Sequence, residues 1–528
     1  MKKVTLFPLL FAIALSGYLL LVMTVNLSSF PGLHADEAWV GLNANSIIYN
    51  GTRTIHGVNT YTSSFYSWLV SLGFRGAGVH LFTLRFVGVF LNFLGFLIVL
   101  GSFYKYIDKK SIFIYLALLI SGSSLLLFPR IAWEVCALQG FFLSIKFSIL
   151  LKHLKGYRLE FIDVFLFLTI TSIGTINHFI FIFESLGLAL AALLLHLRYC
   201  NKNTIELLYL SVLSSGWVAI IYLVKPSIAD EFFQEYRYAL LITTLVILVT
   251  IDLFFLKTRF QIVHGLDSIN SKYLKLLYGI ACLFSLGVLG FLGGKFFAGH
   301  SWSFFGTISG IVVIERLSSY LLTAVESRWL EIVWGGLIAI FIIRGFQKLA
   351  NKLDADKLQM DVFCYLYTLS CLLFISLSPG NSDRYYIIPI YLFVASFPLV
   401  VRNHRVNSRS RYCWGALILW LGLTLSVEQS LLWRNILSTD NRPPVLVTYH
   451  NYRDYSSHFL KHHELLQFLR KRKICHIDRN TSYFIYFPLD FHFLTDRFPC
   501  DPAPTVRIEH CPHCWGEPKY FKVIKSPG

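Results

Sequence analysis

Apolar segments of the length that crosses a lipid bilayer recur along most of this 528-residue chain. A membrane-spanning helix needs about 20 apolar residues, and about thirteen segments come near that length. Only 15% of the residues are charged, against about 25% in a typical soluble protein. The chain is therefore predicted to be an all-α polytopic membrane protein with spans near 1–25, 81–104, 111–128, 131–151, 162–177, 179–197, 205–224, 238–256, 276–294, 330–346, 360–378, 385–401 and 412–431.

Lysine and arginine residues fall mainly in the short loops between these segments and predict the orientation of the chain. Cytoplasmic loops are enriched in both residues, so Lys2 and Lys3 place the N-terminus in the cytoplasm. The first apolar run exceeds the roughly 7–15 residues of a signal-peptide core, which favours a retained helix over a cleaved secretory signal. The net charge of +17 then faces anionic lipid and does not indicate nucleic-acid binding. The loops predicted inside are 105–110, 152–158, 198–202, 257–275, 344–357 and 402–411.

The first predicted outer loop, residues 28–80, carries two adjacent carboxylates, Asp36 and Glu37, near its start. Residues 36–50 have the apolar spacing of a helix that lies flat on the membrane. The acid pair has two interpretations. Acidic side chains stabilise the positive end of a helix dipole, so the pair can simply mark a helix N-terminus after a Pro-Gly break. Carboxylates at the membrane face can also perform acid–base chemistry.

Charged and titratable residues collect at the predicted outer ends of the spans. Each one alone is explained by a charged side chain that reaches out to the membrane interface. Together they bring arginines, whose forked guanidinium groups suit phosphate oxygens, to the face that carries the acid pair. A base for an acceptor hydroxyl, beside cations that stabilise a leaving phosphate, fits group transfer from a lipid-phosphate carrier. These residues are Asp36, Glu37, Arg53, His56, Arg85, Arg130, Glu134, His178, Lys225, Lys295, His300, Glu315, Arg316, Arg328 and Arg384.

Four short motifs on the predicted outer face follow one another along the chain: residues 34–39 (HADEAW), 84–86 (LRF), 128–134 (FPRIAWE) and 382–389 (SDRYYIIP). The first resembles the Asp-Glu pair in the first outer loop of the GT-C glycosyltransferases. The others resemble elements of the branch that contains the protein O-mannosyltransferases and the lipid A aminoarabinose transferase. This resemblance implies a GT-C-like membrane body, with juxtamembrane helices in the first outer loop above a cavity for a polyprenyl-phosphate sugar.

The resemblance also implies roles for individual residues. Asp36 matches the catalytic aspartate, the expected base, and Glu37 is expected to orient the site or to bind the acceptor. The outer loop 295–329 resembles the mobile loop that closes over the donor in relatives. No cofactor or bound metal is expected, and dependence on a divalent metal is left open. The expected donor-phosphate ligands are Arg85, Arg130, Arg384, Lys295 and His300, and the further candidates are Arg53, His56, Glu134, Tyr385 and His178. For His178, a structural hydrogen bond is favoured over contact with the phosphate.

The tail, residues 432–528, is predicted to be a small α/β or α+β domain outside the membrane, separate from the transmembrane domain 1–431. Strand-like runs occur at 445–448 and 483–487, and helical spacing occurs at 458–473. An oxidising compartment favours two disulfides, and a zinc site is the alternative. Both interpretations use the same four residues, Cys475, Cys500, Cys511 and Cys514.

The sequence therefore predicts a glycosyltransferase of the bacterial inner membrane, with a cytoplasmic N-terminus and a periplasmic tail. Its partners would be a polyprenyl-phosphate sugar, an envelope lipid, glycan or protein acceptor, and membrane lipids. An O-antigen ligase or polymerase is one alternative, but those enzymes place their key residues in a large late loop. A lipid-linked sugar transporter or flippase is the other. It would more often show charges at span centres, which the sequence mostly lacks.

Overall fold

The structure, a computed structural model, is described over residues 6–30, 32–49, 62–178, 180–199, 201–224, 328–351, 355–376, 387–402, 465–495, 505–510 and 521–525, together with 433 and 437. The spans predicted at 238–256, 276–294 and 412–431 and the strand predicted at 445–448 lie outside these residues. The total of about thirteen spans therefore stays a prediction.

The described part of the chain is almost entirely helical, and its elements are numbered here in chain order. The helices are α1 (Leu6–Thr24), α2 (Ala35–Tyr49), α3 (Phe65–Ala77), α4 (Leu81–Tyr106), α5 (Lys109–Ser121), α6 (Ser123–Leu127), α7 (Glu134–Leu154), α8 (Phe161–Asn177), α9 (Ile180–Tyr199), α10 (Lys202–Val224), α11 (Arg328–Ala350), α12 (Ala355–Ser376), α13 (Ile387–Val401) and α14 (Tyr483–Thr495). The strands are β1 (Val506–His510) and β2 (Phe521–Lys525).

Among the described helices, α4, α7 and α9 are long and apolar enough to cross a membrane. Each matches a predicted span to within a few residues, and α8, α10, α11, α12 and α13 also coincide with predicted spans. The span predicted at 111–128 is wrong as one continuous helix. Gly122 leaves the helical region with φ −82° and ψ 83°, and a short 3-10 helix covers Phe128–Arg130. Pro129 lies in that turn and, because it lacks an N–H, does not suit the interior of an α-helix.

Small residues bring α4 and α7 close together. A Cβ added at Gly88 would lie 2.9 Å from the Ala137 Cβ, and one at Gly95 would lie 2.7 Å from the Ser144 Oγ. Between these positions, the Asn92 side chain donates to the backbone carbonyls of Cys136 and Ala137. Small residues and interhelical hydrogen bonds are the usual means of joining helices in a membrane. This close pair carries, at its two N-terminal ends, the residues of the candidate site.

A buried ion pair joins α7 to α9 inside the bundle. Lys146 Nζ donates to Glu184 Oε2 at 2.6 Å, and both side chains are fully buried. The Tyr367 hydroxyl of α12 donates to Glu184 Oε1, and Lys146 Nζ lies 4.8 Å from the centroid of the Phe167 ring. The span centres were expected to be mostly uncharged, and α7 is an exception to that expectation.

A second charged network lies at the C-terminal end of α4, where the predicted inner loops meet. Lys348 Nζ donates to Asp361 Oδ2 at 2.6 Å, and the Arg402 guanidinium donates to Asp361 Oδ1 at 2.6 Å. Arg402 Nη1 also lies 3.9 Å from Asp108 Oδ2, which follows α4. The 26 residues of α4 span roughly 39 Å at about 1.5 Å per residue. This network therefore closes the end of the bundle opposite to the acid pair.

The tail forms a small unit with its own apolar cluster, which includes Leu465, Leu489 and Ile508. Strands β1 and β2 pair antiparallel, with Val506 opposite Lys525. The combination of helices with an antiparallel ribbon fits the α+β alternative. Residues 465–471 are helical and fall within the predicted helix 458–473.

The strand predicted at 483–487 is wrong, because α14 covers this run. Its aromatic residues have high strand propensity, but tertiary packing decides the outcome. Ile485 and Leu489 pack into the tail cluster, whereas Phe491 joins the core of the membrane body. A helix that lies between two apolar cores is apolar on more than one face, and in a short run that pattern is hard to distinguish from a strand.

Candidate functional site

The acid pair opens α2, and the residue before the helix, His34, closes its first turn. His34 Nδ1 accepts a hydrogen bond from the Asp36 N–H at 3.0 Å. In return, Glu37 Oε2 accepts one from the His34 N–H at 3.1 Å. This reciprocal pattern resembles a capping box, except that the N-cap residue is a histidine and accepts from the second residue of the helix instead of the third. The interpretation of the pair as a helix N-terminus is therefore correct, and Glu37 serves that role directly.

Glu37 is fully buried and accepts four hydrogen bonds through its two carboxylate oxygens. Arg85 Nε and Nη2 each donate to it at 3.0 Å, in a two-pronged contact. The Ala132 N–H donates at 2.7 Å, and the His34 N–H supplies the fourth bond. Both oxygens of this carboxylate are therefore engaged by donors of the protein itself. This arrangement fits the expected orienting role of Glu37, and its roles in orienting the site or binding the acceptor stay predictions.

Arg85 lies in the first turns of α4, and its side chain is fully buried. Besides Glu37, it donates to the backbone carbonyls of Leu27 at 2.9 Å and Gly32 at 2.7 Å. Its guanidinium therefore fixes the chain that leads from α1 into α2. Protein oxygens already occupy this guanidinium, and binding of donor phosphate by Arg85 stays a prediction.

Arg130 lies in the 3-10 turn before α7 and binds the end of α1. It donates to the carbonyls of Val22 and Val25 at 2.6 Å and to the carbonyl of Phe30 at 2.8 Å. The last carbonyls of a helix lack helical partners and carry the negative end of its dipole, so a cation suits them. Burial, with Arg85 nearby, lowers the pKa of Arg130 to about 9, which leaves it charged at neutral pH. The side chain is buried and engaged by the chain itself, and the donor-phosphate role of Arg130 also stays a prediction.

Asp36 differs from its neighbour because its side chain keeps an exposed fraction of 10%, whereas that of Glu37 is 0%. Its Oδ2 lies 3.7 Å from His34 Nδ1. That contact is not a hydrogen bond, because Nδ1 already accepts from the Asp36 N–H and from Trp133 Nε1 at 3.3 Å. An accepting Nδ1 implies the neutral tautomer with its proton on Nε2. The His34 and Trp133 rings meet edge to face, 4.9 Å apart.

His34 and Trp133 are site residues that the sequence reasoning did not select. Both lie inside motifs that it quoted, at 34–39 and 128–134. Neither histidine nor tryptophan is a usual helix cap, so residue type gave no signal for the roles of His34 and Trp133 at the start of α2. Tyr66 of α3 is a third such residue, since it is buried and its hydroxyl donates to the Leu84 carbonyl at 3.3 Å. Burial and the charges of Glu37 and Glu134 raise the pKa of Tyr66, which keeps it a neutral donor.

Glu134 and His178 are buried where α7, α8 and the end of the first outer loop meet. The Glu134 carbonyl accepts from Asn177 Nδ2 at 3.1 Å, and His178 Nδ1 accepts from the Ile180 N–H at 3.1 Å. Thr62 forms a β-bridge with His178. These bonds fit the structural role that was favoured for His178.

For most of the remaining sequence-predicted residues, the structure gives no distances or contacts, because they lie outside the described part of the chain. Within the described residues, no group of three or more His, Cys, Asp or Glu side chains is placed to hold a metal ion. Cys475 is disulfide-bonded, and the pairing of the four tail cysteines stays a prediction. The sequence-predicted residues that lie outside the described part of the chain are Arg53, His56, Lys225, Lys295, His300, Glu315, Arg316, Arg384, Tyr385, Cys500, Cys511 and Cys514.

The tail contacts the acid-bearing helix directly, since α14 packs along α2. The described elements thus form a polytopic helical body whose acid pair opens a helix at one end, under a small α+β unit.

Comparison with solved structures identifies a particular protein with this fold, ArnT from Cupriavidus metallidurans. The crystal structure of ArnT bound to undecaprenyl phosphate matches with a TM-score of 0.50 and 11% sequence identity, over 94% of this chain and 86% of that chain. The apo crystal structure of ArnT matches with a TM-score of 0.51 and 11% identity, over 93% and 85%. No family model and no curated protein sequence matches the chain. The likeness at this identity is one of fold: the chain has a mostly helical fold like that of ArnT.

Proposed function

We propose that this protein is a membrane glycosyltransferase that moves a sugar from a polyprenyl-phosphate carrier to an envelope acceptor, with Asp36 as the base. One observation carries the assignment of the base. Of the two adjacent acids, Glu37 is engaged by four donors of the protein and is fully buried, whereas the Asp36 side chain keeps an exposed fraction of 10%. The lipid donor is supported by the fold shared with ArnT, which was crystallised with undecaprenyl phosphate.

In the proposed reaction, Asp36 takes the proton of an acceptor hydroxyl. The acceptor oxygen forms a bond to the anomeric carbon of the sugar, and the bond from that carbon to the phosphate oxygen breaks. Polyprenyl phosphate leaves with the electron pair of that bond. The capping arrangement of His34 and Glu37 fixes the helix start from which Asp36 acts, and such fixed geometry is a main source of rate acceleration.

The donor phosphate needs cations, and Arg85 and Arg130 are already bound to the chain. We therefore assign donor binding to Arg384, Lys295 and His300, with loop 295–329 as the segment that closes over the donor. The predicted topology places these residues and the tail outside the bacterial inner membrane. The sugar and the acceptor are not part of the proposal beyond their chemical class.

The test is turnover by purified Asp36→Asn protein in detergent, with a polyprenyl-phosphate sugar and extracted acceptor lipid. Loss of a general base lowers turnover by about 10²–10⁴-fold, and donor binding should persist because other residues hold the phosphate. The chain offers a matched control in Asp163, an acid in the first turn of α8 with a side-chain exposure of 12% and a capping-box bond to the Glu160 N–H. Asp163→Asn should keep normal turnover. Equal turnover by both variants would reduce Asp36 to a helix cap.

A further inference from the structure

Helix α14 of the tail contributes one residue to the core of the membrane body. Phe491 is fully buried and belongs to the apolar cluster of that body, whereas Ile485 and Leu489 of the same helix belong to the separate cluster of the tail. Phe487 also packs against the membrane-body cluster. The helix therefore bridges the two cores.

The contact of Phe491 is with Gly41 of α2, and it requires the absence of a side chain there. A Cβ added at Gly41 would lie 2.2 Å from Phe491 Cε2 and 2.8 Å from Cδ2, inside van der Waals distance. Glycine in a helix interior costs about 1 kcal/mol relative to alanine. A glycine in the middle of α2 therefore needs a packing reason, and the Phe491 ring supplies it.

Gly41 follows Glu37 by four residues, so the two lie on one face of α2, roughly 6 Å apart along its axis. Glu37 anchors the first turn of α2 to Arg85 and to the Ala132 N–H. Phe491 holds the helix one turn later, and α3 packs beside it. A short helix that is held at successive turns can neither rotate nor tilt freely. Its first turn carries Asp36.

We infer that Phe491 is a positioning residue for the proposed reaction, and that the tail holds the acid-bearing helix in its active orientation. This inference rests on the proposed function. The Phe491 ring occupies the space that a side chain at Gly41 would take, and this contact holds α2 in place. Helix α2 in turn holds the carboxylate of Asp36 in place. A displacement of the reacting groups by about 1 Å costs about 10²-fold in rate, so a small shift of α2 is enough to be measured.

The central test is the pair of variants Gly41→Ala and Phe491→Ala, together with the double variant, in the full-length protein. Gly41→Ala should lower kcat by tenfold or more and leave the KM for the donor unchanged, because the donor phosphate is held elsewhere. The double variant should regain turnover to the level of Phe491→Ala or above, because the smaller side chain makes room for the new methyl group. Phe491→Leu, which keeps an apolar side chain of similar reach, should retain more turnover than Phe491→Ala.

Matched controls come from helical glycines with open surroundings. A Cβ at Gly76 or Gly101 would meet no atom within 4 Å, so Gly76→Ala and Gly101→Ala should keep kcat unchanged. Hydrogen–deuterium exchange of residues 35–49 gives a readout that needs no substrate. Exchange there should rise in Gly41→Ala and stay at the wild-type level in both controls.

The outcomes separate this inference from the proposed function. If Asp36→Asn abolishes turnover and Gly41→Ala does not change kcat or exchange, the positioning role of Phe491 is overturned and the base assignment stands. If Asp36→Asn keeps turnover, the base assignment fails, and the exchange data alone then decide whether Phe491 holds α2. Strictly additive losses in the double variant would also contradict the contact.

Discussion

Two ion pairs in this protein, Glu37–Arg85 at the outer site and Lys146–Glu184 inside the bundle, are equally buried and serve different purposes. The side chains of both pairs have an exposed fraction of 0%. The outer pair binds mainly to the backbone, through carbonyls of the chain between α1 and α2 and through N–H groups of Ala132 and His34. The inner pair binds side chains, including the Tyr367 hydroxyl and the Ser185 hydroxyl.

This difference in partners separates an ion pair that fixes the start of α2 from one that joins helices within the bundle. Because the outer pair holds the backbone, it sets where α2 begins and hence where Asp36 lies. The inner pair joins α7, α9 and α12 and has no partly exposed acid beside it in the described structure. A charge inside a membrane protein is a reason to look for function. Here the candidate chemistry belongs to Asp36, which is next to Glu37 in the sequence, and not to the ion pair.

The largest loss of stability is expected from Arg85→Ala, because this substitution breaks the outer pair and leaves the buried Glu37 carboxylate without its cation. Removing one partner of a buried pair costs about 3–5 kcal/mol, and two backbone carbonyls lose a donor as well. We expect poor folding in detergent, seen as a lower thermal midpoint, and loss of turnover in step with the folded fraction. Arg75→Ala, at an exposed position near the end of α3, is the control and should be close to wild type. Normal stability with weakened donor binding would instead support the phosphate role of Arg85.

The inner pair should behave as a self-contained unit. Glu184→Gln leaves the Lys146 ammonium without its counter-charge and should cost about 3–5 kcal/mol. Adding Lys146→Met should recover most of that loss, because a neutral pair replaces the stranded cation and the introduced amide oxygen still accepts from Tyr367. The specific activity of the folded fraction should stay at the wild-type level in both variants.

The more exposed pair Lys152–Glu160, with 4.0 Å between its charged atoms, serves as the reference for the loss of stability when an ion pair is broken. Its loss through Glu160→Gln should cost no more than about 1 kcal/mol. If the double variant Lys146→Met with Glu184→Gln keeps its stability but loses transfer activity, the inner pair takes part in function and the contrast between the two regions fails.

The sequence could predict the helical spans and some of the site residues, but not the contacts between those residues. Apolar spans are visible in one sequence because lipid demands long apolar helices, and α4, α7 and α9 were placed to within a few residues. Asp36, Glu37 and Arg85 were selected, but their connections were not. Glu37 and Arg85 are 48 residues apart in sequence, and only the fold shows that the arginine binds the glutamate and the chain.

Three other features could not be predicted from the sequence, each for a physical reason. Helix α3 was not located within the outer loop, because it is short and mixes serine with apolar residues. Helix α14 was taken for a strand, because aromatic residues favour strands until packing against two cores decides otherwise. Lys146 and Glu184 lie in spans whose average hydropathy hides single charges, so their pairing across α7 and α9 could not be seen.

The smallest effect is expected at His34, which separates a capping role from a role in proton transfer. His34→Ala removes the acceptor for the Asp36 N–H, and loss of a helix cap costs about 0.5–2 kcal/mol. His34→Asn supplies a carbonyl oxygen that can accept the same bond, so it should regain most of the stability. The measurement is the thermal midpoint of both variants beside wild type.

Turnover decides what else His34 does. Its Nδ1 is engaged by two N–H donors, and it lies 3.7 Å from Asp36 Oδ2 without a hydrogen bond between them. A ring nitrogen in that position orients the helix start and is poorly placed to take a proton from the carboxylate. His34→Asn should therefore keep turnover within a few-fold of wild type across the pH range in which the protein is folded. A loss of turnover as large as that of Asp36→Asn, in a stable His34→Asn protein, would make His34 a partner in the proton transfer, and the outer site would then contain two proton-handling groups instead of one.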